Sequence, residues 1–342
     1  MSKPFVEVAA GMILRPDGSL LLAQRPADKP WAGWWELPGG KIEPGESTLQ
    51  ALSRELEEEL DIRVTQATPW VTYTHEYSVN IVRLAFCQVT AWEGEPRGVE
   101  GQALSWVDPH AVPLPVEPLL PATFPPMRWI RLPDRYLVTQ IGSLDKLPAC
   151  LETLRQSLQS GVNLVQFREP GDGWQQEQLH NAFRQILACC HEYGARCLVN
   201  STHPESWWQE ADGVHFRAAD ARARAGLAAS EHEPVFPDPA SLAVTDAPKG
   251  ADGRQGRLVG VSAHCAQDLA AARALDADFV VLGHVLDTPS HPGIAGMGWE
   301  RFAALAAQAG LPVFAIGGQS PATMAQARRH GAHGIAGIRG IV

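Results

Sequence analysis

The chain has 342 residues, is 45% hydrophobic, and carries 28 basic against 38 acidic side chains for a formal net charge of −10. That length suits two domains of ordinary size. The acidity disfavours stable nucleic-acid binding, and no apolar run reaches the roughly eighteen residues of a membrane helix.

The opening MSKPFVEVAAGMIL lacks the ordered regions of a signal peptide, so a cytoplasmic protein is expected. VEVAAGMILR, residues 6–15, reads as a strand ending at the turn Pro16-Asp17-Gly18. SLLLAQR, residues 19–25, reads as its hairpin partner. Ser47 to Leu60 reads as a helix, with Leu49, Leu52, Leu56 and Leu60 on one apolar face. Residues 71–92 read as two further strands. The stretch 108–134 is rich in proline, and its later part, from about 124 to 134, reads as a linker. Residues 1–125 then form a first domain, 126–134 the linker, and 135–342 a second domain.

The second domain alternates strand and helix. RYLVT, VNLVQF, RCLVN, GVHF, LVGVS, FVVLG, PVFAIGG and GIAGI are eight short apolar strands, most of them separated by alanine-rich helical stretches. That pattern predicts a parallel (β/α)8 TIM-type barrel, with a doubly wound open sheet as the alternative. Residues 226–256, rich in Pro, Asp and Gly, read as an inserted loop. The chain stops after the eighth strand, so the closing helix is expected to be missing. The six cysteines, Cys87, Cys150, Cys189, Cys190, Cys197 and Cys265, make no C-x-x-C pair and read as reduced, buried thiols. No oligomeric state is legible.

The chemistry concentrates in GGKIEPGESTLQALSRELEEELDI, residues 39–62. Glu55, Glu58 and Glu59 share one helix face at i, i+3 and i+4. Such carboxylates repel, unless a hard divalent cation turns the repulsion into coordination. On charge alone, a solvated acidic helix is the stronger reading. The full order changes the weighting. Gly40, five residues, Glu46, seven residues, Arg54-Glu55-Leu56-Glu57-Glu58-Glu59 and then Ile62 resembles the box of the Nudix hydrolases. Asp61 stands where that family usually has Gly; Asp also tolerates the left-handed conformation that ends the helix.

WELPGGKIEPGE and AWEGEPRGVEGQALSW further resemble the MutT branch, the 8-oxo-dGTP diphosphatases. The resemblance implies a Nudix α/β/α sandwich (α+β) and a Mg2+-dependent enzyme, with Mn2+ as an alternative. It would hydrolyse a nucleoside triphosphate to monophosphate and pyrophosphate, in DNA-damage avoidance linked to DNA repair and replication. By position, the Gly39 carbonyl, Glu55, Glu58, Glu59 and Glu100 would hold metal, with Glu100 as ligand or base. Arg25, Glu36, Leu37, Pro38, Gly39 and Lys41 would line the nucleotide pocket. Two departures touch the substrate: Val116 replaces an Asn that pairs with the base, and Pro30 replaces a His. Valine has neither amide donor nor acceptor.

GVNLVQFREP, LVNS, ADGVHF, VGVSAH, ADFVVLGHVLDTPSHPG, PVFAIGG and GAHGIAGI resemble, in order, the thiamine phosphate synthase and TenI family of barrels. Ser201 follows Asn200 where a synthase has its first metal-binding Asp, leaving Asp220 alone. Pro170 and His291 stand where it has lysines. The thiazole tautomerases of the TenI type fit better. Their resemblance implies His284 as the proton-transfer group, with Gly317 and Gly318 binding a thiazole carboxylate or phosphate. His191, His203, His215 and His264 read as structural.

Three functions follow. The first is a nucleotide-sanitising hydrolase with a TenI-like domain that binds thiazole phosphate. The second is a thiamine-pathway protein with a Nudix housecleaning domain. The third is a hydrolase regulated or scaffolded by a non-catalytic barrel.

Overall fold

The computed structural model describes residues 3–171, 173–227, 243–245, 256–289, 292–339 and 341. It divides into two compact units, Met1–Leu132 with Pro237–Pro248, and Pro133–Phe236 with Lys249–Val342.

The first unit holds β1 (Phe5–Ile13), β2 (Leu20–Gln24), β3 (Trp35–Glu36), β4 (Gly39–Lys41), α1 (Thr48–Leu60), β5 (Arg63–Glu76), β6 (Ile81–Glu93), β7 (Leu104–Val107) and α2 (Phe124–Trp129). β5, β6, β1 and β4 are neighbours in one sheet, and β3, β2 and β7 form a second. The expected hairpin of residues 6–15 and 19–25 is therefore corrected. β1 pairs with β4 and β6, while β2 pairs with β3 and β7. Only the isolated bridge Leu14–Leu20 and the Arg15 N–H to the Ser19 carbonyl, 3.0 Å, join the two strands. The turn hands the chain from one sheet to the other.

Helix α1 starts on a capping box: the Ser47 hydroxyl accepts the Gln50 N–H, and the Gln50 side chain accepts the Ser47 N–H. It ends on Asp61 in the left-handed region, φ 56° and ψ 39°, as the sequence reading allowed. Its buried face is Ala51, Leu52, Leu56 and Leu60; Leu49, expected there, points outward. Ala51 replaces it because the four-residue steps from Leu60 back to Leu52 drift round the helix. These side chains pack with Ala9, Ile13, Leu21, Ile62, Cys87 and Val89 in one core. Each buried Leu contributes roughly 1.5–3 kcal/mol, several times the worth of a surface ion pair on a helix. The core thus sets the rotation of α1 and turns Glu55, Glu58 and Glu59 away from it.

The segment 126–134, expected as a linker, is also corrected. α2 occupies most of its first half, and Pro126, Met127 and Trp129 are buried. Pro near its start is compatible with a helix, since the first turn has no carbonyl to bond its missing N–H. Trp129 packs edge-on to Trp70 and Tyr73.

In the second unit, β8 (Arg135–Val138), β9 (Leu164–Phe167), β10 (Arg196–Asn200), β11 (Gly213–Phe216), β13 (Leu258–Ala263), β14 (Phe279–Gly283), β15 (Val313–Ile316) and β16 (Gly334–Gly337) form a closed parallel barrel. β16 pairs with β15 and with β8, which closes the ring and excludes the open sheet. α3 (Leu147–Gln159), α4 (Gln176–Glu192), α5 (Glu205–Trp208), α6 (Ala218–Arg224), α7 (Ala266–Ala274), α8 (Gly298–Ala306) and α9 (Met324–Arg329) run between strands. After β16 the described residues form no helix. Most of the 226–256 insertion lies outside the described residues. Its strand β12 (Ala243–Thr245) belongs to the first unit and pairs in parallel with Thr74–Glu76 of β5. No helix among the described residues is long and apolar enough to cross a membrane.

Candidate functional site

The fold gathers the carboxylates of α1 against the Gly39-Gly40 turn of β4. A Cβ on Gly40 would lie 2.1 Å from a carboxylate oxygen of Glu55, so that carboxylate occupies the space a side chain would fill. Gly39 has φ 142°, and a Cβ there would meet the Ala9 carbonyl oxygen at 2.1 Å. Its N–H donates to Glu59 Oε2 at 3.3 Å. The Glu55 and Glu59 side chains are largely covered, while Glu58 is 61% exposed. Burial pushes the Glu59 carboxyl up to about 7, partly offset by the Lys29 charge.

Arg54 explains the spacing of the motif. Its Nε donates to Glu46 Oε1 at 2.8 Å and its Nη2 to Glu46 Oε2 at 2.9 Å and to the Lys41 carbonyl at 3.0 Å. Its Nη1 donates to Glu55 Oε1 at 2.8 Å and Glu58 Oε2 at 3.4 Å. Glu46, held by that guanidinium, drops to about 2. Glu46 therefore orients Arg54, and Arg54 orients the carboxylates beside it.

Glu100 comes to the same region from the loop before β7. Lys29 pairs with it at 2.5 Å and stands 3.7 Å from Glu59. In this arrangement Arg54 and Lys29 draw the acids apart, and no three His, Cys, Asp or Glu side chains converge as a metal centre among the described residues. The donors fit a hard divalent cation all the same. Every candidate is a carboxylate or carbonyl oxygen, and Glu59 is a covered carboxylate held off its ordinary pKa.

The expected nucleotide-lining residues sit on the neighbouring strands. The Arg25 guanidinium donates to both oxygens of Glu36 at 2.6 Å and to the Pro30 carbonyl at 2.7 Å. Burial raises the Glu36 carboxyl, with Arg25 opposing it. Leu37 is buried, and the Pro38 carbonyl accepts the Gly11 N–H at 2.8 Å. Lys41 is exposed at the end of β4. Val116 lies on a segment that runs beside β3: the Trp35 N–H donates to the Pro118 carbonyl and the Leu120 N–H to the Trp35 carbonyl, each at 2.8 Å. Sequence reasoning missed Lys29, whose position in RPADKPW carries no spacing signal.

The barrel residues form a separate set in the second unit. His284 follows β14 and Gly317-Gly318 follow β15. The Val285 N–H donates to the Ile316 carbonyl at 2.8 Å, and a Cβ on Gly317 would lie 2.4 Å from the His284 Cβ. Gly318, at φ 65°, would bring a Cβ to 2.8 Å from the Leu286 Cβ. The glycines are thus required by the approach of the His284 loop. His284 Nε2 lies 3.2 Å from the Ile294 carbonyl. Asp220 is held by Arg217 at 2.8 and 2.9 Å and by the Ser201 hydroxyl at 2.6 Å, which lowers its pKa. The position of His291 lies outside the described residues.

Inside the barrel runs a belt that the sequence reading did not single out. Thr202 N–H, Asn200, Gln166, Tyr136, His215 and Ser262 are joined by hydrogen bonds of 2.9–3.1 Å. A signal was present: a lone polar residue interrupts the otherwise apolar strands β9, β11 and β13, and the apolar run of β10 ends on Asn200. Burial pushes His215 down to about 3 and His203 down to about 4. Glu169, 1% exposed, accepts from the Thr139 hydroxyl and from the N–H groups of Ile141 and Gly142, which orders the loop after β8.

Residues 4–130 match the NUDIX domain family, and residues 135–231 and 245–341 match the thiamine monophosphate synthase family. The chain is 42% identical over 112 residues to the 8-oxo-dGTP diphosphatase of Haemophilus influenzae, covering 33% of this chain and 82% of that protein. It is 45% identical over 114 residues to the CTP pyrophosphohydrolase of Escherichia coli, covering 33% and 84%. The barrel is 32% identical over 211 residues to a putative thiamine-phosphate synthase of Geobacter sulfurreducens, covering 60% and 85%.

Proposed function

The chain belongs to two families, the Nudix hydrolases through its first unit and the thiamine monophosphate synthases through its barrel, and from that membership we propose a Mg2+-dependent nucleoside triphosphate pyrophosphohydrolase. It is a hydrolase acting on phosphoric anhydrides. Its proposed substrate is 8-oxo-dGTP, cleaved by water to the nucleoside monophosphate and pyrophosphate, which would remove an oxidised purine before DNA replication uses it.

The observation that supports this reading is the set of Glu55, Glu58 and Glu59 on one face of α1, opposite Gly39 and Glu100. These residues would hold the metal, which when bound screens phosphate charge and lowers the pKa of the attacking water. The protein's own work is positional. Arg54 fixes Glu55, Gly40 leaves it room, and Gly39 supplies a backbone carbonyl without a side chain in the way. The base is the open point, because Val116 offers no amide.

The test is hydrolysis with and without Mg2+, read as pyrophosphate release for 8-oxo-dGTP, dGTP and CTP and as orthophosphate release for thiamine diphosphate. We expect metal-dependent release from the nucleotides and none from Glu58→Gln. Wild-type rates in that variant would sink the metal assignment; preference for thiamine diphosphate would favour the thiamine-pathway alternative.

For the barrel, the capture of Asp220 by Arg217, with Ser201 at the position of the other acid, supports ligand binding without synthase chemistry, since these described residues leave no free carboxylate pair for a metal diphosphate. The proposed ligand is a thiazole phosphate seated near His284, Gly317 and Gly318. Calorimetric titration should show binding that weakens in His284→Ala. Equal heats in both proteins, or none in either, would remove this site.

A further inference from the structure

An exposed aromatic group on the loop that carries Lys29 is not used by the chemistry above. Trp31 is 45% exposed and sits at φ 64°, a left-handed backbone that a large residue rarely adopts. Such an outlier persists only where its surroundings hold it, and it points to use. Here they do hold it. The Gly33 N–H donates to the Arg25 carbonyl at 3.0 Å, the Arg25 N–H to the Trp34 carbonyl at 2.8 Å, and the Trp34 N–H to the Trp31 carbonyl at 3.0 Å. The Arg25 guanidinium reaches the Pro30 carbonyl from inside the same loop. The loop between β2 and β3 is tied at its base and at its tip.

The exposed indole is also buttressed. Trp34 meets it edge-on with ring centroids 4.8 Å apart, and Tyr77, from the turn between β5 and β6, lies 6.3 Å away. Tyr77 is backed in turn by the buried His75 at 4.4 Å. With these neighbours in place the indole is still 45% exposed, which leaves surface for a flat partner. Two residues earlier, Lys29 reaches Glu59 and Glu100. One short loop therefore carries both a lysine paired with the proposed metal ligands and an exposed aromatic side chain, the two kinds of group that a nucleotide's phosphate and base require.

We propose that Trp31, supported by Trp34 and Tyr77, is the stacking platform for the substrate's nucleobase, so that this hydrolase reads the base by its face and not by its hydrogen-bonding edge. The inference rests on the hydrolase reading and deepens it. It also accounts for Val116: an edge reader needs an amide at such a position, and a face reader does not. Stacking is tolerant of base identity because every base has a π face. The consequence is that this platform adds affinity for any nucleobase and does not itself separate 8-oxo-dGTP from undamaged nucleotides.

The experiment compares wild type, Trp31→Ala and Trp31→Phe on 8-oxo-dGTP, dGTP, CTP and the base-free triphosphate of deoxyribose. Loss of a base–aromatic stack predicts a KM rise of roughly 5- to 150-fold for Trp31→Ala on every nucleotide, falling mainly on KM and not on kcat. Trp31→Phe should recover most of it. The base-free triphosphate should show no such rise. An unchanged KM, a loss confined to one base, or an equal loss on the base-free compound would overturn the proposal. If wild type releases pyrophosphate from no nucleotide, the hydrolase reading itself fails. Titration of dGMP and deoxyribose 5-phosphate then decides the platform. Weaker dGMP binding in Trp31→Ala, with deoxyribose 5-phosphate unaffected, upholds it; equal or absent dGMP binding overturns it.

Discussion

Gly39 and Gly40 lie side by side and are needed for different reasons. At Gly39 a Cβ meets backbone, the Ala9 carbonyl at 2.1 Å, and φ is 142°. Neither obstacle moves cheaply, so Gly39→Ala should cost at least about 2 kcal/mol of stability in urea unfolding. At Gly40 the three atoms nearest the Cβ all belong to the end of the Glu55 side chain. That carboxylate can swing away, so Gly40→Ala should unfold within about 0.5 kcal/mol of wild type. Its divalent-metal affinity, read by calorimetry, should nevertheless fall roughly 10- to 100-fold, as when the support of a ligand is lost. Equal stability losses in the two variants would refute the distinction. The motif's glycines, Arg54 and carboxylates were legible from spacing because each serves a local geometry. Lys29 and Trp31 were not, since their partners Glu100 and Tyr77 are brought to them only by the folded sheets.

At the level of elements, periodicity located what buries a face and failed where a segment changes partners. The eight barrel strands were legible because both faces of each are covered, which leaves continuous apolar runs bounded by polar turns. Helix α1 was legible from its leucines, but one-residue precision failed at Leu49, where the small Ala51 completes the buried stripe. The pair β1 and β2 reads as a hairpin because the turn Pro16-Asp17-Gly18 has hairpin chemistry. Nothing in a turn states which sheet the next strand joins. α2 was hidden by its own prolines: Pro125 and Pro126 look like a linker, yet they fall in the first turn, where a helix accepts them. The same logic separates the two glycine pairs of the chain. Gly40 admits a carboxylate and Gly39 a neighbouring strand, whereas Gly317-Gly318 admit a neighbouring loop, and only the folded chain tells these apart.

At the scale of the whole molecule, the barrel's closed ring makes its interior a single electrostatic environment. His215 touches Tyr136 and Ser262 across it, with Arg168 as the nearby charge that adds to the effect of burial. His203 is buried beside Phe167 and Trp207. Both histidines are neutral in the folded chain well below their ordinary pKa, at about 3 and about 4. Between those values and about 6.5 the unfolded chain binds protons that the folded chain does not. Stability therefore rises with pH across this window, is fully present above about 6.5, and is lost as pH falls. At pH 5 each histidine should cost about 2 kcal/mol relative to pH 8. Urea unfolding of the full chain, with the barrel's own transition followed at both pH values, should show that loss; Glu59, raised to about 7 in the first unit, acts there in the opposite sense. His215→Asn should start less stable at pH 8, because two belt hydrogen bonds are cut. Its loss between pH 8 and pH 5 should be smaller than wild type's by about 2 kcal/mol, one histidine's share. A variant with the wild-type pH slope would show that His215 is protonated within the barrel. The belt would then be a proton-accepting chain and not a fixed neutral scaffold.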